Sequence, residues 1–146
     1  MSSEGHCTNR IYTLIKDQEY LDAIKELNIH LEANPRSRAA LSLLGYCNYL
    51  SGNYEAAAEM YDQLIKYYPE VTEYRIYLAQ ALYKAENYED ALRAANSIPP
   101  DFNHQKSILQ FAIKLRKTIL LFHNILFYPN MNNHFLFSIT ILCILL

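Results

Sequence analysis

Five histidines and three cysteines are the residues of this chain most able to hold a metal or to act as base or nucleophile, and their spacing supports neither use. His6, His30, His104, His123 and His134 fall in separate stretches, whereas a site needs its ligands at short helical or loop intervals. His30 reads as a partly buried, satisfied imidazole. Cys7, Cys47 and Cys143 are too few and too far apart for a zinc knuckle or a disulfide framework, so they read as reduced thiols. There is no Gly-rich phosphate loop, no HExxH and no GxSxG. No catalytic residue, metal or cofactor is expected, and the chain reads as a non-enzyme. What remains abundant is tyrosine, 13 residues among 146. Tyrosine offers flat apolar area with a hydroxyl at its edge, which is the chemistry of recognition.

The elements that must position these rings announce themselves by period. Tyr20, Tyr54 and Tyr88 stand 34 residues apart, and Ala23, Ala57 and Ala91 keep the same interval three positions later. A large and a small residue held in register over two intervals mark a repeat, and 34 residues is the length of the tetratricopeptide helix-turn-helix unit. In the middle unit Leu41, Leu44, Gly45 and Tyr49 lie on a first helix, and Ala57, Tyr61, Leu64 and Ile65 form the 3.6-residue stripe of a second. Gly45 and Ala57 are small where the helices cross, and Tyr61 fills the space beyond. Ser51, Gly52 and Asn53 form the turn. Pro35 and Pro69 close successive units where a missing N–H is tolerated. Glu55, Glu89 and Asp90 suit the starts of second helices, where the helix dipole favours negative charge.

The expected fold is therefore all-α: a solenoid of antiparallel helix pairs over residues 4–117. Its repeats are expected at 4–37, 38–71 and 72–103, followed by the first helix of a fourth at 104–117. The first unit departs from the pattern with Ile11 where the second has Gly45, which suits an N-terminal cap. In the third, Ala95 stands in place of the bulky Tyr61, and Pro99-Pro100 stops the second helix early. On the fourth first-helix Ile108, Phe111, Ala112 and Leu115 are expected to lie on one side.

From Thr118 to Leu146 there is no Asp, Glu, Lys or Arg. Two apolar runs, Ile119–Tyr128 and Phe135–Leu146, flank the turn-like residues 129–134. At 10 and 12 residues neither reaches the roughly 20 a membrane-spanning helix needs. Residues 118–146 read as an apolar tail outside the repeat fold, of the kind a truncated or alternatively spliced product would carry. A tail anchoring a generic repeat adaptor to a membrane is the alternative, and membrane contact is not favoured. Met1–Arg10 is polar and lacks the apolar core of a signal peptide, so the repeats are expected in the cytosol. A net charge of -2 with scattered lysines and arginines gives no basic stripe, and nucleic acid is not an expected partner.

Binding would fall to the groove lined by first helices. In the tetratricopeptide register that groove holds Tyr12 and Ile15, then Ser42, Tyr46, Tyr49 and Leu50, then Ile76, Gln80, Tyr83 and Lys84. Tyr20, Ala23, Gly45, Tyr54, Ala57, Tyr61, Tyr88 and Ala91 are assigned to packing between repeats. An aromatic, weakly charged lining suits an extended apolar or proline-containing peptide. Tetratricopeptide domains that capture the acidic C-termini of heat-shock chaperones use a clamp of lysine, asparagine and arginine. Here Thr8, Tyr12, Leu43, Glu73 and Tyr77 stand at those positions, and Glu73 would repel a carboxylate.

The stretches from Ser37 to Cys47 (SRAALSLLGYC) and from Glu73 to Ala85 (EYRIYLAQALYKA), with Ile11-Tyr12-Thr13-Leu14-Ile15 before them, resemble the tetratricopeptide repeat protein 30 family over about Ile11 to Lys114. That resemblance implies a ciliary transport subunit of intraflagellar transport complex B. Family members are tied to cilium assembly and to polyglutamylation of axonemal tubulin, and wind a long superhelix around an extended, proline-containing segment of another complex B subunit. After about Lys114 the family would continue into further repeats, where this chain enters its uncharged tail.

Overall fold

The computed structural model describes residues 3–127, with side chains from 8 to 123. His6, Cys7, His134, Cys143 and the apolar run from Phe135 lie outside the described side chains. Seven α-helices and one 3-10 turn account for the described elements: α1 Ser3–Lys16, α2 Tyr20–Ala33, α3 Arg38–Leu50, α4 Tyr54–Tyr67, α5 Glu73–Lys84, α6 Tyr88–Asn96, the 3-10 turn Pro100–Phe102, and α7 Asn103–Phe127. Each helix packs on the next in sequence, and α7 also reaches α5.

The turns inside the hairpins repeat as strictly as the side chains. Residues 18, 52 and 86 all take the left-handed conformation, Gln18 at φ 63°, Gly52 at φ 87° and Glu86 at φ 62°. The amide that follows each one donates back to a carbonyl five residues earlier: Glu19 to Leu14 at 2.8 Å, Asn53 to Asn48 at 2.9 Å and Asn87 to Leu82 at 3.0 Å. This closure satisfies carbonyls the helix end would otherwise leave without a partner. The next residue in every case is the tyrosine that opens the second helix. Between hairpins, Ser37 caps α3 by accepting from the Ala40 amide. The Tyr68 hydroxyl donates to the Arg36 carbonyl at 2.8 Å, and Arg38 lies over the Tyr68 and Tyr74 rings while Nε donates to the Tyr74 hydroxyl.

The core is three clusters in a row. Ile11, Ala23, Leu27, Ala40, Leu44 and Cys47 form the first, Leu41, Ala57, Tyr61, Leu64, Tyr74 and Ala81 belong to the second, and Ile76, Ala79, Ala91, Ala95, Ile98, Leu109 and Ile113 to the third. Ala23, Ala57 and Ala91 are each fully buried. A Cβ added at Gly45 would meet the Tyr61 ring at 3.0 Å, so the glycine exists for Tyr61. The corresponding pair is Ile11 with Leu27 in the first hairpin and Ala79 with Ala95 in the third, each pair sharing one cluster. Ile11 thus fills its hairpin with medium-sized partners. Cys47 is buried, and desolvation pushes its thiol up to about 11, which keeps it protonated at neutral pH.

The last helix departs from expectation in its length. It runs without a break from Asn103 to Phe127, so position 117 is not a helix end. Its buried residues are Leu109 and Ile113, while Ile108, Phe111 and Leu115 are exposed and Ala112 is intermediate. A strict 34-residue continuation of the inward-facing Tyr74, Leu78 and Ala81 would have turned Ile108, Ala112 and Leu115 inward. Ile113 keeps the 34-residue interval of Ile11, Gly45 and Ala79 and is buried, whereas Ile108 and Leu115, which continue Tyr74 and Ala81, are exposed, and no described helix follows α7 to cover them. No described helix is long and apolar enough to cross a membrane.

Candidate peptide-binding groove

Between α3 and α5 lies a cavity of about 380 Å³ lined by Ser42, Leu43, Tyr46, Tyr49, Leu50, Tyr61, Tyr77 and Gln80. None of these is charged. Helical spacing explains the lining: Ser42, Tyr46, Tyr49 and Leu50 recur every three to four residues on the side of α3 turned away from Leu44 and Ala40. Tyr61 of α4 forms the floor, 5% exposed, with its ring 5.4 Å from that of Tyr77. Burial, and then the neighbouring Tyr77, push the Tyr61 phenol above its ordinary range, so its hydroxyl stays a neutral donor. Tyr46, Leu50 and Tyr77 are open to solvent at 46%, 41% and 41%. Tyr49 packs edge-on against Tyr54 at 5.4 Å and is half-buried. Aromatic walls with a hydroxyl, an amide and a serine at the rim can hold extended backbone while the rings take apolar side chains.

The ten groove positions expected from sequence divide. Ser42, Tyr46, Tyr49, Leu50 and Gln80 line this cavity. Ile76 is not a groove residue: it is 7% exposed in the core cluster with Ala79 and Ala91. Ile15 is half-buried against the first cluster. Tyr83 packs on the third cluster with its ring 5.9 Å from Tyr88, and Lys84 is exposed outside the cavity. Tyr12, 55% exposed, borders a separate hollow of about 70 Å³ with Ile11, Leu27 and Leu43. Leu43, Tyr61 and Tyr77 are the lining residues that sequence reasoning assigned elsewhere. By spacing alone Tyr61 reads as a packing residue, and Leu43 and Tyr77 as clamp positions. Tyr20, Tyr54 and Tyr88 open their helices half-buried.

A wider hollow of about 760 Å³ lies between α4 and α6 and is bordered by Glu55, Glu59, Asp62, Asp90 and Arg93. Some of its charges are engaged within their own helices, Lys66 with Asp62 at 2.6 Å and Arg93 with Asp90. Among the described residues no group of three or more His, Cys, Asp or Glu could hold a metal ion.

Paired antiparallel helices with a period of 34 residues and an aromatic channel along the first helices define a tetratricopeptide-repeat domain, and models of the tetratricopeptide repeat match residues 9–62 and 48–110. Within that class the chain belongs to the family of the intraflagellar transport 70 proteins, the one the wording of residues 37–47 and 73–85 resembles. It is 46% identical over 112 residues to intraflagellar transport protein 70A2 of Rattus norvegicus and 45% identical over 113 residues to intraflagellar transport protein 70A of Homo sapiens, matches that take in 76% of this chain and 17% of each relative. The chain thus matches about one sixth of their length. Among solved structures, the Yersinia enterocolitica type III secretion chaperone SycD, in complex with a peptide of the translocator YopD, superposes with a TM-score of 0.65 at 19% identity, covering 80% of this chain and 97% of that one. That likeness concerns the fold.

Proposed function

We propose that the chain is a non-enzymatic interaction scaffold of ciliary transport that holds an extended, apolar or proline-containing segment of another intraflagellar transport complex B subunit in the groove between α3 and α5. The uncharged aromatic cavity lined by Tyr46, Tyr49, Tyr61 and Tyr77 carries this reading. Such a lining favours a segment with little side-chain charge, since a charge placed there would lose water without gaining a partner. Kinship with the intraflagellar transport 70 proteins supplies the setting, the cilium and the adjoining cytoplasm, and roles in cilium assembly and tubulin polyglutamylation follow from the same resemblance.

The test is a double change, Tyr46→Ala with Tyr77→Ala, at two solvent-open rings whose loss should spare the fold. Each aromatic contact contributes about 0.5–1.5 kcal/mol beyond its buried area, so affinity for a proline-containing peptide of a complex B subunit should fall by roughly 5- to 150-fold. Titration calorimetry reads the affinity, and circular dichroism checks that helix content is unchanged. Undiminished binding by the double variant would place the partner elsewhere.

A further inference from the structure

Tyr61 carries a polar atom to the floor of the groove and gives it no partner. The residue is 5% exposed, yet its hydroxyl forms no hydrogen bond with any of the described residues, whereas that of Tyr74, buried to the same degree, accepts from Arg38 Nε at 2.8 Å. Nor is the oxygen sealed in: among the described residues no tyrosine hydroxyl is both out of reach of solvent and without a hydrogen bond. It therefore opens on the cavity that Tyr61 lines. Gly45 sets the path, since a Cβ there would lie 3.0 Å from Cε1 and Cζ, the end of the ring that bears the hydroxyl. Three of the neighbours that, after burial, hold the phenol protonated are Tyr77, Tyr49 and Tyr46, all of the same cavity wall.

A buried tyrosine hydroxyl finds a hydrogen-bond partner as a rule, and here the acceptor has to come from whatever enters the groove. The uncharged lining gives an anionic acceptor no cation to replace its water. A main-chain carbonyl is neutral and suits that lining. An α-helix uses its carbonyls internally, whereas an extended polyproline II segment leaves them free. The carbonyl before a proline suits the floor best: the ring brings no N–H that would need its own acceptor there, and the preceding residue is held extended. The equivalents of Tyr61 in the first and third hairpins are Leu27 and Ala95, so among the three hairpins only the middle one supplies this donor. One fixed polar contact orients a ligand that apolar walls alone would let slide.

We propose that Tyr61 sets the register of the bound segment: its Oη donates to one main-chain carbonyl of an extended ligand, that of the residue before a proline. This rests on the groove reading given above and adds to it the atom that is recognised.

The experiment is Tyr61→Phe in the full chain, which removes the hydroxyl and keeps the ring against Gly45. Urea unfolding of the free protein should show stability unchanged or slightly raised, because the fold gives the hydroxyl nothing; a clear loss would reveal a partner within the fold and overturn the proposal. Affinity for the proline-containing peptide of a complex B subunit should fall roughly 2- to 12-fold, the share of one neutral hydrogen bond. Thioamide variants of that peptide replace one carbonyl oxygen at a time by sulfur, a poorer acceptor. One position, directly before a proline, should cost the wild-type chain severalfold in affinity and cost Tyr61→Phe nothing further. The absence of such a position, or the same loss in both proteins, overturns the proposal. Binding that survives Tyr61→Phe undiminished but falls with Tyr46→Ala and Tyr77→Ala overturns this inference and supports the groove reading. Binding undiminished by either change, or no binding by the wild-type chain, overturns both.

Discussion

The hairpins α3–α4 and α5–α6 carry the same period and fill it in opposite ways. The middle one sets a glycine against a buried tyrosine, and the third sets alanine against alanine at the equivalent places. The first hairpin uses a third solution, Ile11 with Leu27. What the repeat conserves is the space between the helices, and the side chains divide it differently each time. The consequence is functional as well as structural. Only the middle pair lifts an aromatic ring through the hairpin to floor the groove, where Tyr61 meets Tyr77. At Ala95 no such ring is available, and the groove cavity is confined to the α3–α5 side.

Removing the ring should break this difference most severely. Tyr61→Ala leaves a cavity opposite a glycine, with no side chain on Gly45 to collapse into it, and truncation of a buried aromatic costs about 3–5 kcal/mol. Urea unfolding should show that loss, together with loss of peptide binding through the vanished floor. Ala95→Gly removes one methyl group and should cost about 1–2 kcal/mol, from a small cavity and lower helix propensity, with no effect on peptide binding. Equal losses at the two positions would mean that the hairpins are packed alike after all.

Converting one solution into another sharpens the comparison. Gly45→Ile alone drives a branched side chain into the Tyr61 ring, at a cost of about 2–3 kcal/mol. Combined with Tyr61→Leu it recreates the Ile11–Leu27 pair of the first hairpin, and the double variant should recover at least half of that cost. Such a gain is a coupling energy of about 1–2 kcal/mol, within the range of touching residues. Independent, additive losses would show that the two positions do not share one space.

Where the period held, the sequence was a good guide. The spacing of Tyr20, Tyr54 and Tyr88 placed the first residue of each second helix, and Ala23, Ala57 and Ala91 are fully buried. Half of the expected groove line its cavity, because alternate faces of α3 follow directly from helical spacing. Ile76 was misplaced because the same spacing puts it at the edge of the packed face, and the small Ala91, Ala94 and Ala95 opposite leave room to draw it in. The exposed side of α7 has a different origin. Ile113 keeps the 34-residue interval of Ile11, Gly45 and Ala79, but Ile108 and Leu115, at the intervals of Tyr74 and Ala81, stand exposed on a helix that no described helix follows. Tyr61 shows a further limit: a residue can serve packing and the groove at once, and one sequence position gives no sign of both.

The smallest expected effect lies in the turns, where the hairpins are alike in backbone and differ in residue. Gln18, Gly52 and Glu86 all hold the left-handed conformation, but only Gly52 does so without a Cβ. That conformation costs a residue with a Cβ about 1–2 kcal/mol. Glycine removes the strain but brings greater freedom to the unfolded chain, a loss of about 0.5–1 kcal/mol. Gln18→Gly and Glu86→Gly should therefore each stabilise the domain by about 0.5–1 kcal/mol, and Gly52→Ala should destabilise it by a similar amount. Thermal unfolding distinguishes these signs. Destabilisation by Glu86→Gly would show that the Glu86 side chain contributes more to its turn than the strain of holding it there, and the three turns would then be equal in geometry but not in what maintains it.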